Sequence, residues 1–209
     1  MPGPPSRHHR RASTPDDAER RRAEILDASV AVFAADGFEA ATVDAIAARA
    51  RVAKGTVYLY FASKDALYRA ALVRGAAEMT ALVAARLDGA RTARARLEAF
   101  VRARLEFFEA NRDFFRVYVA EFTNVFSRAR RPAAEFDAVF YEQARLLERA
   151  LASLVREEGL VGTASEVALA VSDLTRGVAI RRAIGRSQRT LDAEVGILTE
   201  LAWKGLRRR

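Results

Sequence analysis

From Asp16 onward, apolar positions recur every three or four residues, the period of an α-helix and not the two-residue alternation of a half-buried strand. Over 16–35, Ile25, Leu26, Ala28, Val32 and Phe33 fall at helical spacing, and Asp16 and Asp17 suit the positive end of the helix dipole. Gly37 supplies a left-handed residue that ends this helix, and Phe38 is placed to fold back as the hydrophobic partner of the cap. Thr42 is a good N-cap for a short helix over 43–50, with Val43, Ile46, Ala47 and Ala50 on one face. A third short helix is predicted from Lys54 to Tyr60 or Phe61, and Ser63 caps a fourth that runs to about Asp88. Five further amphipathic helices are predicted over 92–110, 112–126, 132–158, 164–184 and 191–206. Asn111, Gly159, Gly162 and Gly185 mark breaks, and Pro132 suits a first turn. No strand ladder or fixed-period repeat interrupts them, so the expected fold class is all-α.

The second and third helices, joined by Arg51-Val52-Ala53, have the dimensions of a helix-turn-helix, whose second helix enters a DNA major groove while the first braces it. That second helix must be apolar behind and polar in front. Val57 and Phe61, four apart, can pack inward, while Lys54 and Tyr58 share another face and can point outward.

Composition narrows the chemistry further. The chain has 209 residues, with 35 Lys+Arg against 27 Asp+Glu, and no cysteine. Disulfides, thiolate nucleophiles and cysteine metal sites are therefore absent, and the two histidines are the neighbours His8 and His9 in an aperiodic stretch. Most enzyme classes lose their usual parts, and neither catalytic residues, a metal nor a cofactor is expected. Residues 1–15 carry four of the five prolines and Arg7, Arg10 and Arg11, which reads as a flexible basic arm without the apolar region of a secretory signal. No stretch reaches the roughly 18 continuous apolar residues of a membrane span, so the expected compartment is the cytoplasm. Residues 45–64 hold Arg49, Arg51, Lys54 and Lys64 with no acid, and two of only three lysines lie there. A basic excess of this kind suits a nucleic-acid or anionic-membrane partner.

The ordered run Thr42-Val43, Ile46-Ala47, then Val52-Ala53-Lys54-Gly55-Thr56-Val57-Tyr58-Leu59-Tyr60-Phe61-Ala62-Ser63-Lys64-Asp65-Ala66-Leu67 resembles the DNA-binding domain of the tetracycline-repressor (TetR) family. Ile25-Leu26-Asp27-Ala28 and Phe33-Ala34-Ala35-Asp36-Gly37-Phe38 extend the likeness toward the N-terminus, to about a quarter of the chain. The resemblance implies DNA contacts from Thr42, Lys54, Gly55, Thr56, Tyr58, Tyr60 and Lys64. Lysine suits phosphates, hydroxyls can donate to phosphate oxygens, and glycine permits close backbone approach. Base-edge readout would fall to Thr56, Tyr58, Leu59 and Arg51, with the arm arginines reaching a minor groove or flanking phosphates. The sequence departs from the family pattern at Arg51, where glycine is frequent, and at Ala53, where serine is frequent. Arg51 in a left-handed turn costs about 1 kcal/mol, and the missing serine cap about the same.

Nine of the twelve phenylalanines lie between Phe100 and Phe140. As packed core they need no further purpose; as cavity walls, Phe107, Phe115, Tyr118, Phe122, Phe126, Phe140 and Tyr141 are the candidates, and the resemblance implies an effector pocket in this region. In the last two helices, Val167, Val171, Leu174 and Val178 form one apolar line, and Leu191, Val195, Leu198 and Ala202 another. Ile197 and Leu201 lie on a second flank. These lines serve either a single interior or, as the resemblance implies, a homodimer through a four-helix interface.

The expected organisation is a basic arm (1–15), a three-helix DNA-binding domain (16–64), and a helical effector-binding and dimerisation domain (65–209). The expected function is a dimeric transcriptional repressor that binds a palindromic double-stranded DNA operator and is released by a small, largely apolar effector. The alternatives are a helical small-molecule carrier or carboxylate-dependent enzyme, which turnover of a bound compound would reveal, and a basic membrane-surface protein, for which liposome binding would exceed duplex binding.

Overall fold

Thr14 opens the first helix through a capping box, its hydroxyl accepting from the Asp17 amide at 3.2 Å while the Asp17 carboxylate accepts from the Thr14 amide at 3.4 Å. Pro15 therefore lies inside the helix at its first position and not in the arm, where its fixed φ is already helical. The computed structural model describes residues 14–124, 134–152 and 161–206, with the side chains of 122–124, 134–140 and 206 outside the description. Residues 1–13 of the predicted arm, Phe126, and the 153–158 end of the seventh predicted helix lie outside the described residues.

The described helices are α1 (Pro15–Ala40), α2 (Val43–Arg49), α3 (Lys54–Tyr60), α4 (Lys64–Asp88), α5 (Ala93–Ala110), α6 (Arg112–Asn124), α7 (Ala134–Leu151), α8 (Ala164–Ala183) and α9 (Leu191–Leu206), and no strand occurs among them. The fold is all-α, as the periodicity requires. Thr42, Ser63, Thr92 and Thr163 each accept a hydrogen bond from the third amide of the helix they precede. Gly37 kinks α1 and does not end it: it takes φ 75° and ψ 169°, a conformation open essentially to glycine, and the helix resumes as far as Ala40. Phe38 folds back as expected, stacking on Phe33 and meeting the Tyr68 ring of α4 edge-on at 5.0 Å.

Arg51 adopts φ 55°. It occupies the left-handed position of a Schellman turn at the end of α2, with its amide donating to Ala48 and the Val52 amide to Ala47. Replacing it by glycine removes the steric cost of that conformation. Arg51→Gly should raise the stability of the fold by about 0.5 to 1 kcal/mol in urea denaturation. A midpoint that falls would show that the arginine side chain compensates for the strain.

One continuous apolar core links the whole described chain, from Ile25 and Ile46 through Leu72, Leu97 and Phe100 to Val171 and Val195. α1 packs against α2, α4 and α6; α4 against α5 and α7; and α5 against α7, α8 and α9. The boundary expected at residue 64 coincides with the first turn of α4, so that helix starts beside the three-helix unit and continues into the larger bundle. None of the described helices is long and apolar enough to cross a membrane.

Candidate functional site

α3 buries Val57 and the adjoining Phe61 and turns its other side to solvent. The guanidinium of Arg22 on α1 lies 5.2 Å from the centre of the Phe61 ring, which fixes the inner face further. Lys54, Gly55, Tyr58 and Leu59 are exposed on α3, Thr42 and Arg51 are exposed at the two ends of α2, and Thr56 and Tyr60 are half-buried. A Cβ added at Gly55 would meet no atom within 4 Å, so nothing inside the protein requires glycine there. The Ala53 position carries no side-chain cap, as its residue type dictates.

Lys64 departs from this group. Its ammonium donates to the carbonyl oxygens of Phe38, Glu39 and Ala41 at 2.8, 3.1 and 3.0 Å and lies 4.6 Å from the centre of the Phe38 ring. All three of its donors are thereby consumed in binding the start of α4 to the end of α1, where a cation complements unsatisfied carbonyls. This corrects the expected phosphate contact.

Lys54 has a partner that the acid-free stretch concealed: Asp44, one position before that stretch begins, accepts from its ammonium at 2.7 Å. The Asp44 carboxylate hydrogen-bonded to Lys54 holds the ammonium above the usual lysine range. The pair is exposed, so a phosphate can displace the carboxylate without uncovering a buried charge.

Two contacts tie this unit to the larger bundle. The Tyr68 hydroxyl donates to Glu121 of α6 at 3.1 Å in a buried position, while its ring meets Phe33 and Phe38 of α1. Arg74, lower on α4, donates to the Ala23 carbonyl at 3.2 Å and pairs with Asp27. A shift of α4 or α6 is therefore felt directly by α1, on which α2 packs.

Much of the predicted cavity wall is core. Tyr118 is fully buried among Phe108, Phe114 and Phe115, and Phe107 packs edge-on against Phe114 at 5.8 Å. Phe107 borders an open outer groove shared with α1 and α4. Tyr141 lies on the exposed side of α7, Phe126 lies outside the described residues, and so do the side chains of Phe122 and Phe140. Phe115 does line an open cleft of about 280 Å³, together with Leu105, Phe108, Glu109, Arg112, Arg116 and Arg182. Arginines dominate its polar wall, and Arg182 Nε donates to Glu109 at 2.7 Å.

Behind Phe108 lies a group the sequence analysis missed. Arg104 is 1% exposed, with its guanidinium 5.3 Å from the Phe100 ring centre and 5.7 Å from that of Phe108. Nη1 donates to Gln143 Oε1 of α7 at 2.8 Å, while Nε, Nη2 and Gln143 Nε2 have no hydrogen-bond partner. Burial pushes the guanidinium below the usual arginine range and the neighbouring Tyr118 hydroxyl above the usual tyrosine range. The available signal was spacing: Leu97, Phe100, Arg104 and Phe108 recur every three or four residues, which places an arginine on the core stripe of α5.

The residues expected at a dimer interface divide differently. Val167, Val171, Val178, Val195, Leu198 and Ala202 are buried within the chain's own core, and Leu191 is half-buried. They face α5 and each other, and are thus unavailable to a second copy. Exposed apolar positions of these two helices are Leu169 and Leu174 on α8, the latter at 50%, and, on the other flank of α9, Ile197 at 37% and Leu201 at 63%.

Residues 25–71 match the family described as "Bacterial regulatory proteins, tetR family". The transcriptional activator FasR of Mycolicibacterium smegmatis is 36% identical over 99 residues, 47% of this chain and 45% of that protein. The transcriptional repressor KstR of the same organism is 49% identical over 59 residues, 28% of this chain and 29% of KstR. The aligned region is thus less than half the length of these curated relatives. A crystal structure of a TetR-like transcriptional regulator from Rhodococcus sp. RHA1 superposes with a TM-score of 0.70 at 28% identity, covering 88% of this chain and 94% of that one.

Proposed function

We propose that the chain, whose residues 25–71 match the TetR family of bacterial regulatory proteins, is a dimeric, ligand-responsive transcriptional repressor of that family. Residues 16–64 form its DNA-binding unit and the remainder senses an effector and dimerises. The observation that carries this reading is the outer face of α3, where Lys54, Gly55, Tyr58 and Leu59 are exposed together and Gly55 leaves its surroundings open.

On DNA, Lys54 exchanges Asp44 for a phosphate, Thr42, Tyr58 and Tyr60 donate hydroxyls to the backbone, and Gly55 lets the chain approach closely. Thr56, Tyr58, Leu59 and Arg51 are the candidates for base edges. Two such units in one dimer reach successive major grooves about 34 to 36 Å apart, so the operator is an imperfect palindrome. An effector releases the protein by preferring a dimer whose recognition helices are wrongly spaced; nearly complete switching needs about 5.5 kcal/mol of differential binding. The Tyr68–Glu121 and Arg74–Asp27 contacts give α4 and α6 a direct hold on α1.

The test is selection of bound duplexes from genomic fragments, followed by titration of the selected operator with the wild type and Gly55→Ala. Alanine is the better helix former by about 1 kcal/mol and meets no atom in the protein, so the variant's stability should be unchanged or higher. Its operator affinity should fall about tenfold or more, the equivalent of one charged hydrogen bond. A variant that binds the operator like the wild type would remove α3 from the DNA surface, and failure to select any palindrome would overturn the regulator reading.

A further inference from the structure

An interior guanidinium without a carboxylate is costly, because the charge has left water and gained no counter-charge in return. Among the described residues, Arg176 pairs with Asp173 and Arg182 with Glu109, whereas Arg104, the most deeply buried of the three, has no carboxylate within ion-pair distance. Arg104 Nε, Arg104 Nη2 and Gln143 Nε2 lack a well-formed hydrogen bond, and the Tyr118 hydroxyl beside the guanidinium is a neutral acceptor that leaves its charge uncompensated. Buried polar groups in folded proteins are satisfied as a rule, so a cluster of donors short of acceptors describes the missing group: oxygen-rich and negatively charged.

A second observation points the same way. Phe108 belongs both to this cluster, where its ring covers the guanidinium, and to the open cleft, whose Arg112, Arg116 and Arg182 outnumber Glu109. An anion that enters that cleft is attracted by its arginines, with an aromatic wall alongside it, and Phe108 is the ring that separates it from Arg104.

We propose that Arg104 and Gln143 receive the carboxylate of an amphipathic organic acid, whose apolar body lies against Phe108 and Phe115. This names the chemical class of the effector and rests on the ligand-responsive reading above. A carboxylate fits better than a phosphate monoester because one uncompensated positive charge balances a monoanion, and a dianion would leave a negative charge buried. The fork of the guanidinium donates to both carboxylate oxygens at once.

Gln143→Glu tests the site from within, since it adds a carboxylate of the same length where Gln143 Oε1 already meets Arg104 at 2.8 Å. Melting temperatures are measured for the wild type, Gln143→Glu and Arg104→Met, alone and with decanoate, decan-1-ol or decyl phosphate at equal concentration. Ligand-free Gln143→Glu should melt about 3 °C or more above the wild type, as expected when a buried charge gains its partner. Decanoate should raise the wild-type melting temperature by more than decan-1-ol does, and that difference should vanish in both variants. A lower ligand-free melting temperature for Gln143→Glu, or a wild type that does not distinguish decanoate from decan-1-ol, overturns the proposal. A larger response to decyl phosphate overturns the choice of carboxylate. Operator titration of the same ligand-free variants separates the two readings: if selective DNA binding persists while the carboxylate preference is absent, only the effector assignment fails.

Discussion

Leu174→Glu combined with Leu201→Glu should convert the protein to a monomer and lower its operator affinity by about 100-fold or more. Leu174, with Ala170 four residues before it and Gly177 three after, defines an exposed face of α8, and Ile197 with Leu201 defines one on α9. Both helices pack on α5 and on each other, so these faces point away from the core and are exposed among the described residues. A Cβ at Gly177 would meet no atom within 4 Å, which leaves room for close approach of another helix. In a two-fold interface the same surface meets itself, and two glutamates per chain become four carboxylates facing one another. Each protomer would keep its fold, because the substituted positions are exposed and surface changes cost within about 0.5 kcal/mol. The loss on DNA arises from tethering: one bound recognition helix no longer presents the second at high effective concentration. The salt dependence of operator binding should also fall to about half, since each monomer neutralises half the phosphates. Size-exclusion chromatography and operator titration at two salt concentrations check this together. A variant that remains dimeric, or a monomer with wild-type affinity, would refute the assignment of this face.

The helices themselves were legible because the signals that make them are local. Apolar spacing, Thr42 and Ser63 as caps, and glycines at breaks act within a turn or two, and the structure uses Thr42 and Ser63 in that way. Lys64 was misread because its three carbonyl partners lie 23 to 26 residues away, and a lysine beside a basic turn offers no local sign of them. The last two helices carry two apolar flanks each, and periodicity says that both exist without saying which one meets the chain's own core. Val195 and Leu198 fall inward and Ile197 and Leu201 outward because of where α5 lies, a fact of tertiary packing. Arg104 was passed over since an arginine in a helix is normally solvated, and its place on the apolar stripe of α5 became meaningful only once Gln143 of α7 was seen beside it.

Gly75→Ala should destabilise the protein by about 2 kcal/mol, although alanine is intrinsically favoured in a helix by about 1 kcal/mol. Gly75 sits mid-helix in α4, where its lack of a side chain admits the Phe114 ring of α6. An added Cβ would overlap ring carbons Cε2 and Cδ2 of Phe114 and lie 2.9 Å from Cζ, so something must move. Phe114 is itself buried, held by Phe107 at 5.8 Å and Tyr118 at 5.9 Å, so its ring cannot turn aside freely. The strain is relieved by separating α4 from α6, the two helices that Tyr68 and Glu121 also connect. For a chain of this length the loss corresponds to a melting temperature lower by about 6 °C. Phe114→Leu should cost stability in the wild type by leaving a cavity, yet recover part of the loss in Gly75→Ala by making room for the methyl group. The two changes would then be less damaging together than the sum of each alone, and this sign of coupling distinguishes a steric clash from a simple preference for glycine. Strict additivity, or a Gly75→Ala protein that melts above the wild type, would mean that α4 and α6 yield at this contact without cost. The operator affinity of the single variant then measures how far separation of α4 from α6 reaches α3: a fall larger than the fraction unfolded explains would make this contact part of the path by which the bundle controls DNA binding.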